Sequence, residues 1–581
     1  MLMDMGQPTG AVMTERLASR SDFEAYQSQA NHNWASLWGG EKLVVSVCVD
    51  SGSIPKGAER ILALLRGMLG ETDAVVRQVS GTGAMWADVA VEVKHPGKPP
   101  ILFRNITESN LTALLAGELD DHAVGVRGDS AFEGIPPLND HPFFKYQQRI
   151  VLDNTGIIDP DSIEEAIANG AYSALLKVLF DMSPEEVIAE MTAANLRGRG
   201  GAGFPAGIKW ESGRKARVTP KFVVVNSHEG EPNVYKDRRI HECDPHKILE
   251  GMIISSVTNG AERAYNYIGG EYPLAIKRFR KAVADAERLG LIGDDILGTG
   301  KSVEVRVRTG GGAYICGEGS ALMYSVMGVR GQPRTKPPRS VEEGLWKRPT
   351  ILNNTETLAN VGAIINNGGA WFASIGTEKS AGTKLMTVQG PLNYVGLVEV
   401  PLGINLKLLI EEVWGGMRPG HEFRGIQTGG VSAGALPYEY LDNPVDFDSL
   451  TSIGGMLGSG GFVVFDQYVC PVDFARYLMA FNRVESCSKC VPCRLGNPAL
   501  VEMLDRIRLG GGSLTDLPLM ERTSKHIIEL SLCGLGQVAP MPLLGMLKMY
   551  PDSFREHIEN HTCEAGVCQL GGVPALAAAA D

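Results

Sequence analysis

Apolar and polar positions along the chain change period several times, and each change marks an element. β-Branched residues recur in short runs at 42–48 and 89–93, predicting strands, while 58–69 places its apolar residues at helical spacing. These elements predict a small α/β domain over 41–125. Residues 1–40 carry no clear period and predict an extended or poorly ordered arm. The stretch 125–142, rich in Gly, Pro and Asp, reads as a linker separating that module from a larger body.

The body opens with helices predicted over 163–180 and 183–194. Apolar strands at 222–226 and 303–308, and a third strand end near 349–357, each run into polar or Gly-rich residues. Such strand-end loops are where an α/β sheet holds nucleotides. The predicted ligand-binding domain spans 145–378, and short strands with Gly turns follow over 379–466. Helical periods return at 472–508 and 515–558, a small bundle within 467–560, and 561–581 is a tail. The fold class is multidomain α/β with a helical C-terminal region.

Composition narrows the function. At 581 residues the chain should hold three to five domains, at about 100–200 residues each. A net charge of −12 and the lack of a long Lys/Arg block argue against nucleic acid as a partner. No apolar run reaches the roughly eighteen residues of a membrane span. Ten cysteines without a secretory segment place the chain in a reducing, cytoplasmic compartment, peripheral to a membrane only through partner subunits.

Cysteine spacing carries the sharpest chemistry. Cys487, Cys490 and Cys493 stand at i, i+3 and i+6, and Cys533 follows forty positions later. Three consecutive sulfurs with a distant fourth suit the face of a [4Fe-4S] cube, whereas zinc sites pair two Cys-x2-Cys knuckles. Electron transfer is the expected activity.

Gly-rich loops supply the second signal. Residues 196–210 read Leu-Arg-Gly-Arg-Gly-Gly-Ala-Gly-Phe-Pro-Ala-Gly-Ile-Lys-Trp, a loop whose free amides, with Arg199 and Lys209, suit a phosphate-bearing ligand. Beside it stand His228-Glu-Gly-Glu231, the turn from Gly310 through Tyr314 and Gly317 to Glu318, and Asn353-Asn354 with Thr357.

With these motifs in this order, the chain resembles, over roughly residues 40–570, the flavin-bearing, NADH-oxidising subunit of respiratory complex I. In architecture and domain order it is most similar to the soluble relatives: diaphorase subunits of NAD-linked hydrogenases, formate dehydrogenases and electron-bifurcating complexes. The resemblance implies FMN held by Gly198, Arg199, Gly201, Lys209, Asn226, Gly317, Asn353, Asn354 and Thr357. Tyr314 and Glu318 would be the catalytic residues beside flavin and nicotinamide. Phe204, Glu231 and Lys336 would contact NAD(H) or NADP(H). The resemblance also implies a thioredoxin-like N-terminal domain, a β-grasp domain over 379–466, and partner subunits that carry Fe-S clusters and the terminal active site.

Departures from the family pattern cluster near the nucleotide. His228 stands for an acidic residue, Gly319 for the second Glu of Gly-Glu-Glu, and Arg339 and Ser212 for aromatics. Arg339 would suit the extra phosphate of NADPH; loss of nucleotide use, leaving a relay or scaffold subunit, and neutral drift are the other readings. In the N-terminal domain, relatives hold a [2Fe-2S] cluster with four cysteines. Here the matching positions are Cys48, Ser53, Ala84 and Asp88, so that cluster is not expected and the domain should be structural or dock a partner.

Cys243 and Cys316 read as small core residues. Cys470, Cys563 and Cys568 with His557 form a Cys3His set, and soluble relatives resemble it with a zinc site ahead of a C-terminal ferredoxin domain, for which this chain has no further residues. A vestigial pair of reduced thiols is the alternative, and His561 could replace His557.

Overall fold

The computed structural model describes residues 16–571. Among the described residues, three sheets with their flanking helices and a C-terminal helical bundle organise the fold. The first sheet runs in the order Val75–Val79, Val44–Cys48, Val91–Lys94, Ile101–Phe103, Ala123–Val126, with only the first pair parallel. The predicted helix over 58–69 is present as Ala58–Leu69, its Ile61, Leu62 and Leu65 buried on that sheet.

The N-terminal arm is not extended. Ser19 caps a helix, Arg20–Gly39, whose Phe23, Tyr26 and Ala30 are buried, and the helix packs on Ile163–Ala168. Residues 1–15 of the predicted arm lie outside the described residues. The stretch 125–142 is not a free linker either. Leu138, Phe143 and Phe144 are buried in a core shared with Val398 and Leu402, and Trp86 of the first domain stacks on His141. Burial of these aromatics fixes the small domain onto the body.

The second sheet positions the candidate site. Its four strands are all parallel, in the order Glu304–Gly310, Arg263–Gly269, Phe222–Ser227, Thr350–Asn354. The strand Phe222–Ser227 thus has its next strand on one side and the last on the other, and a crevice opens between diverging connections at the carboxyl ends. Helix Pro245–Asn259 is buried along nearly its whole length, with His246, Glu250 and Asn259 buried among Ile248, Leu249, Met252 and Ile253. The predicted helix over 163–180 is two helices, Ile163–Ala168 and Ser173–Phe180. Gly170 at φ +95° and Tyr172 at φ +65° turn the chain between them. Helix Pro184–Ala193 starts with a reciprocal capping box between Ser183 and Glu186.

The third sheet is mixed, in the order Gly396–Pro401, Thr383–Gln389, Gly461–Asp466, Phe423–Thr428, Ala435–Leu436. Its loops at 429–431 and 456–459 lean over the second sheet. The C-terminal helices Pro471–Val484, Val491–Arg508 and Asp516–Leu530 pack side by side. The long period predicted over 515–558 is broken after Leu530, where Gly534–Val538, Met541–Met549 and Pro551–Glu559 follow as separate helices. No described helix is long and apolar enough to cross a membrane.

Candidate functional site: a flavin cavity against a cysteine cluster

At the carboxyl ends of the second sheet lies a cavity of about 560 Å³. Register places Val225 beside Asn353 and Asn226 beside Asn354, so three amides stand at one sheet edge. Two of them are held by protein. Asn226 donates to Gly317 O at 2.8 Å, and Asn354 donates to Asp237 Oδ2 at 2.6 Å. Asn353 differs: its amide is buried and both its polar atoms lack a partner among the described residues. A buried amide left without hydrogen bonds costs roughly 1–3 kcal/mol, and a ligand edge offering a donor and an acceptor removes that cost. The edge of a flavin ring has that character, so the residues fit FMN.

The loop after Leu196 forms the opposite wall with Gly198, Gly200, Gly201 and Gly203. Gly201 sits at φ +116°, and a Cβ on Gly200 would lie 2.9 Å from that of Asn354; only glycine allows the backbone this close. Lys209 points in from helix Ala206–Lys215, donating to Leu352 O at 2.6 Å. Burial, reinforced by Lys336, lowers its pKa to about 8.

Arg199 is placed differently from its sequence-based role. Its buried guanidinium donates to Ala381 O at 2.5 Å and to Arg197 O at 3.1 Å, and it does not line the cavity. Only its backbone faces inward, with the N–H donated to Thr357 Oγ1 at 2.9 Å. Behind this wall Glu356 joins Lys384 at 2.6 Å and Lys236 at 3.1 Å, a buried chain of charges that fixes the residues under the cavity.

On the outer side stand Phe204, Glu231, Tyr314, Glu318 and Lys336, all lining the cavity. The Tyr314 hydroxyl donates to Glu231 at 2.6 Å, and Val431 N–H donates to the other carboxylate oxygen at 2.6 Å. Burial raises Glu231 to about 7 against those two donors. Glu318 caps helix Gly319–Val326 through the N–H groups of Ser320 and Ala321 and pairs with Lys336 at 3.2 Å. His228 lies under Gly230 and Gly317, and burial lowers its pKa, so the ring is neutral at pH 7 where an acid would be charged. Arg339 lies outside the main cavity, in a side chamber that also touches Phe204 and Lys336.

Two glycine-rich segments that the sequence marks for close backbone approach, 429–434 and 454–461, close the roof together with the start of a bundle helix. Gly429, Met456, Gly458 and Ser459 come from the third sheet, and Gly534, Leu535 and Val538 from the bundle. The residues from the bundle carry no such signal in the sequence.

Cys487, Cys490, Cys493 and Cys533 line a single small cavity. Cys490 is the N-cap of helix Val491–Arg508 and Cys493 lies in its first turn, while Cys533 caps Gly534–Val538. Asn497 donates to Cys493 Sγ at 3.3 Å, and the N–H groups of Leu535 and Gly536 donate to Cys533. Such N–H···S bonds tune a cluster's potential. Ile315 and Leu535 line both this cavity and the flavin cavity, so one layer of side chains divides the two.

Among the described residues, Cys470, His557, Cys563 and Cys568 form the group whose donor atoms fall within 4.8 Å of one another. The His557 Nδ1–H donates to Ser553 O at 2.6 Å, which leaves Nε2 facing Cys470 Sγ at 3.3 Å. Of the two candidate histidines, His557 completes the set.

Comparison with known proteins agrees with this geometry. A family model described as the Nuo51 FMN-binding domain matches residues 191–363, and one described as the NADH-ubiquinone oxidoreductase-F iron-sulfur binding region matches 473–557. The NADP-reducing hydrogenase subunit HndC of Solidesulfovibrio fructosivorans is 45% identical over 424 residues, 73% of this chain and 86% of that protein. The second NADH-quinone oxidoreductase F-subunit of Rhizobium meliloti is 44% identical over 414 residues, 71% of this chain and 98% of its own length. A chain of an NAD+-reducing [NiFe]-hydrogenase in the H2-reduced state shares the fold, with TM-score 0.64 at 24% identity over 94% of this chain and 91% of its own. The chain therefore belongs to the NADH-quinone oxidoreductase F-subunit family: it is an FMN- and [4Fe-4S]-binding oxidoreductase subunit that transfers electrons within a larger complex.

Proposed function

We propose that this subunit takes an electron pair from a reduced nicotinamide dinucleotide at the outer side of the 560 Å³ cavity and passes electrons singly through Cys487, Cys490, Cys493 and Cys533 to a partner subunit. The observation that carries the reading is the shared wall: Ile315 and Leu535 touch both cavities, so donor and acceptor sites are adjacent. Bound FMN supplies the conversion from two-electron to one-electron chemistry, and a bound [4Fe-4S] cluster carries one electron at a time.

The chain's own residues bind and orient. Asn353 would hold the polar edge of the flavin, and the amides of Gly198–Gly203 with Lys209 would hold its phosphate. Phe204, about half exposed, offers a face for an adenine. Glu231, fixed by Tyr314 and Val431, would accept from a ribose hydroxyl. Tyr314 also donates its N–H to Glu485 at 2.9 Å, which ties the nucleotide side of the cavity to the cysteine bundle.

Zinc held by Cys470, His557, Cys563 and Cys568 would pin the C-terminal segment to the bundle. The first sheet, with Cys48 beside Ser53, would be structural. The sheet orders support a thioredoxin-like first domain and a β-grasp third domain.

The test is an anaerobic titration of the FMN-loaded chain with NADH and with NADPH, followed by flavin and cluster absorption. Bleaching of both chromophores by either nucleotide is expected. Bleaching by neither would leave a relay or scaffold role and end this reading. Metal analysis of the same preparation, with iron and zinc counted separately, tests the two cysteine sets.

A further inference from the structure

A second chamber of about 220 Å³ opens beside the flavin cavity. Phe204, Lys209, Gly319, Lys336 and Leu352 line both, so the two are continuous past the exposed Phe204 ring. What sets the chamber apart is its charge. Lys209, Arg334, Lys336 and Arg339 line it, with the hydroxyls of Ser212, Ser320 and Ser340, and among the described residues no carboxylate does. Two of these cations are paired from outside, Lys336 with Glu318 and Arg339 with Glu342 at 2.9 Å. The other two donate to carbonyls, Lys209 to Leu352 O and Arg334 to Glu343 O. The balance is positive in a chain whose net charge is −12.

Such a pocket is built for an anion, and its position beside the ring offered to adenine says which one. We infer that this chamber receives the 2′-phosphate of NADP(H), making the protein selective for the phosphorylated dinucleotide. The inference rests on the dinucleotide reading above. A phosphomonoester presents three acceptor oxygens with nearly two charges, and a guanidinium answers them with paired N–H donors. NADH would place an uncharged 2′-hydroxyl there and leave Arg334, which has only a carbonyl partner, without an anion. Gly319 matters for the same reason: it lines the chamber at this helix start, where a Cβ would press on Leu352 Cδ2 at 2.6 Å and a carboxylate would repel the phosphate.

The experiment has a binding arm and a redox arm. The full chain is titrated calorimetrically with adenosine 2′,5′-bisphosphate and with 5′-AMP, and the FMN-loaded chain is bleached with NADPH and NADH. The bisphosphate is expected to bind at least about 10-fold more tightly, as charge-assisted bonds allow, with the preference shrinking as salt is raised. R339Q, at an exposed position, should cut that preference several-fold, and G319E should abolish it.

Equal affinity for the two probes, with NADH bleaching the flavin as well as NADPH, would overturn the phosphate site while leaving the dinucleotide reading intact. A preference unmoved by both variants would overturn it too. Bleaching by neither nucleotide would overturn both.

Discussion

Two cysteine-bearing regions of this chain, the helical bundle and the first domain, are built differently. In the bundle, four sulfurs line one cavity and amide N–H groups point at them. In the first domain, Cys48 is buried with Ser53 close by, whose hydroxyl donates to Cys48 O at 2.9 Å. There the space between the strand ends is filled by charge. Asp50 pairs with Arg239 of the flavin domain at 2.5 Å, and a Cβ on Gly52 would lie within 3.3 Å of carboxylate oxygens of both Asp50 and Asp88. Burial works against Asp50, but Arg239 and two backbone N–H groups hold it down at about 2; burial and Asp50 push Asp88 up to about 7. One region keeps four soft donors around a cavity, and the other sets hard groups in a buried ion pair. The lesson is that a single cysteine among hard groups accompanies a buried ion pair joining two domains, whereas four gathered sulfurs line a cavity of their own.

The contrast can be broken most severely at its intact end. Cys533→Ser should abolish cluster assembly, with iron content falling to background and electron transfer to an external acceptor dropping more than about 100-fold, beyond what loss of an outer-shell partner does. Retention of iron would place the cluster elsewhere.

At the other end, Arg239→Met leaves Asp50 buried without its cation. Stability should fall by about 3–5 kcal/mol in urea unfolding, whereas the double replacement Asp50→Asn/Arg239→Met should lose much less. Equal losses would mean that the pair is incidental.

A smaller effect is expected from pH. Because folding raises the Asp88 pKa, its protonated form is favoured in the native state. The stability it contributes is full below its ordinary value of 3.8 and is lost as pH rises through about 7. Asp88→Asn should flatten the melting temperature across that window, and an unchanged slope would assign the titration to another group.

The smallest effect should come from restoring the thiols. With Ser53→Cys, Ala84→Cys and Asp88→Cys together, Arg239 and Asp50 still fill the site, so iron per chain should not rise. A gain of about two irons, the content of a [2Fe-2S] cluster, would show that ligand identity alone was limiting.

Legibility in the sequence followed how local each signal was. Cysteine spacing and the strand-end glycines are local, and the structure gathers those residues into two adjoining cavities. Side-chain direction is not local. Arg199 sits in the middle of the glycine loop, yet the carbonyl of Ala381, distant in sequence, turns it away. The roof residues Met456, Leu535 and Val538 lie in segments whose role depends on which domain leans over which. The helix Arg20–Gly39 has a local signal in the sequence: Phe23, Tyr26, Ala30 and Trp34 stand at spacings of three and four, after a capping Ser19. In 163–180 the apolar period concealed a turn that Gly170 announces.

The roof over the flavin cavity sets an order in time as well as in space. Its walls are made by residue 357, but Gly429 through Ser459 and then Leu535 and Val538 are synthesised last. A nascent chain that has completed the matched FMN-binding span still presents an open dish. Stable capture of the cofactor therefore waits for the bundle to fold, and the same folding step brings Cys533 to its three partners. Flavin retention becomes a report on the maturity of the whole chain.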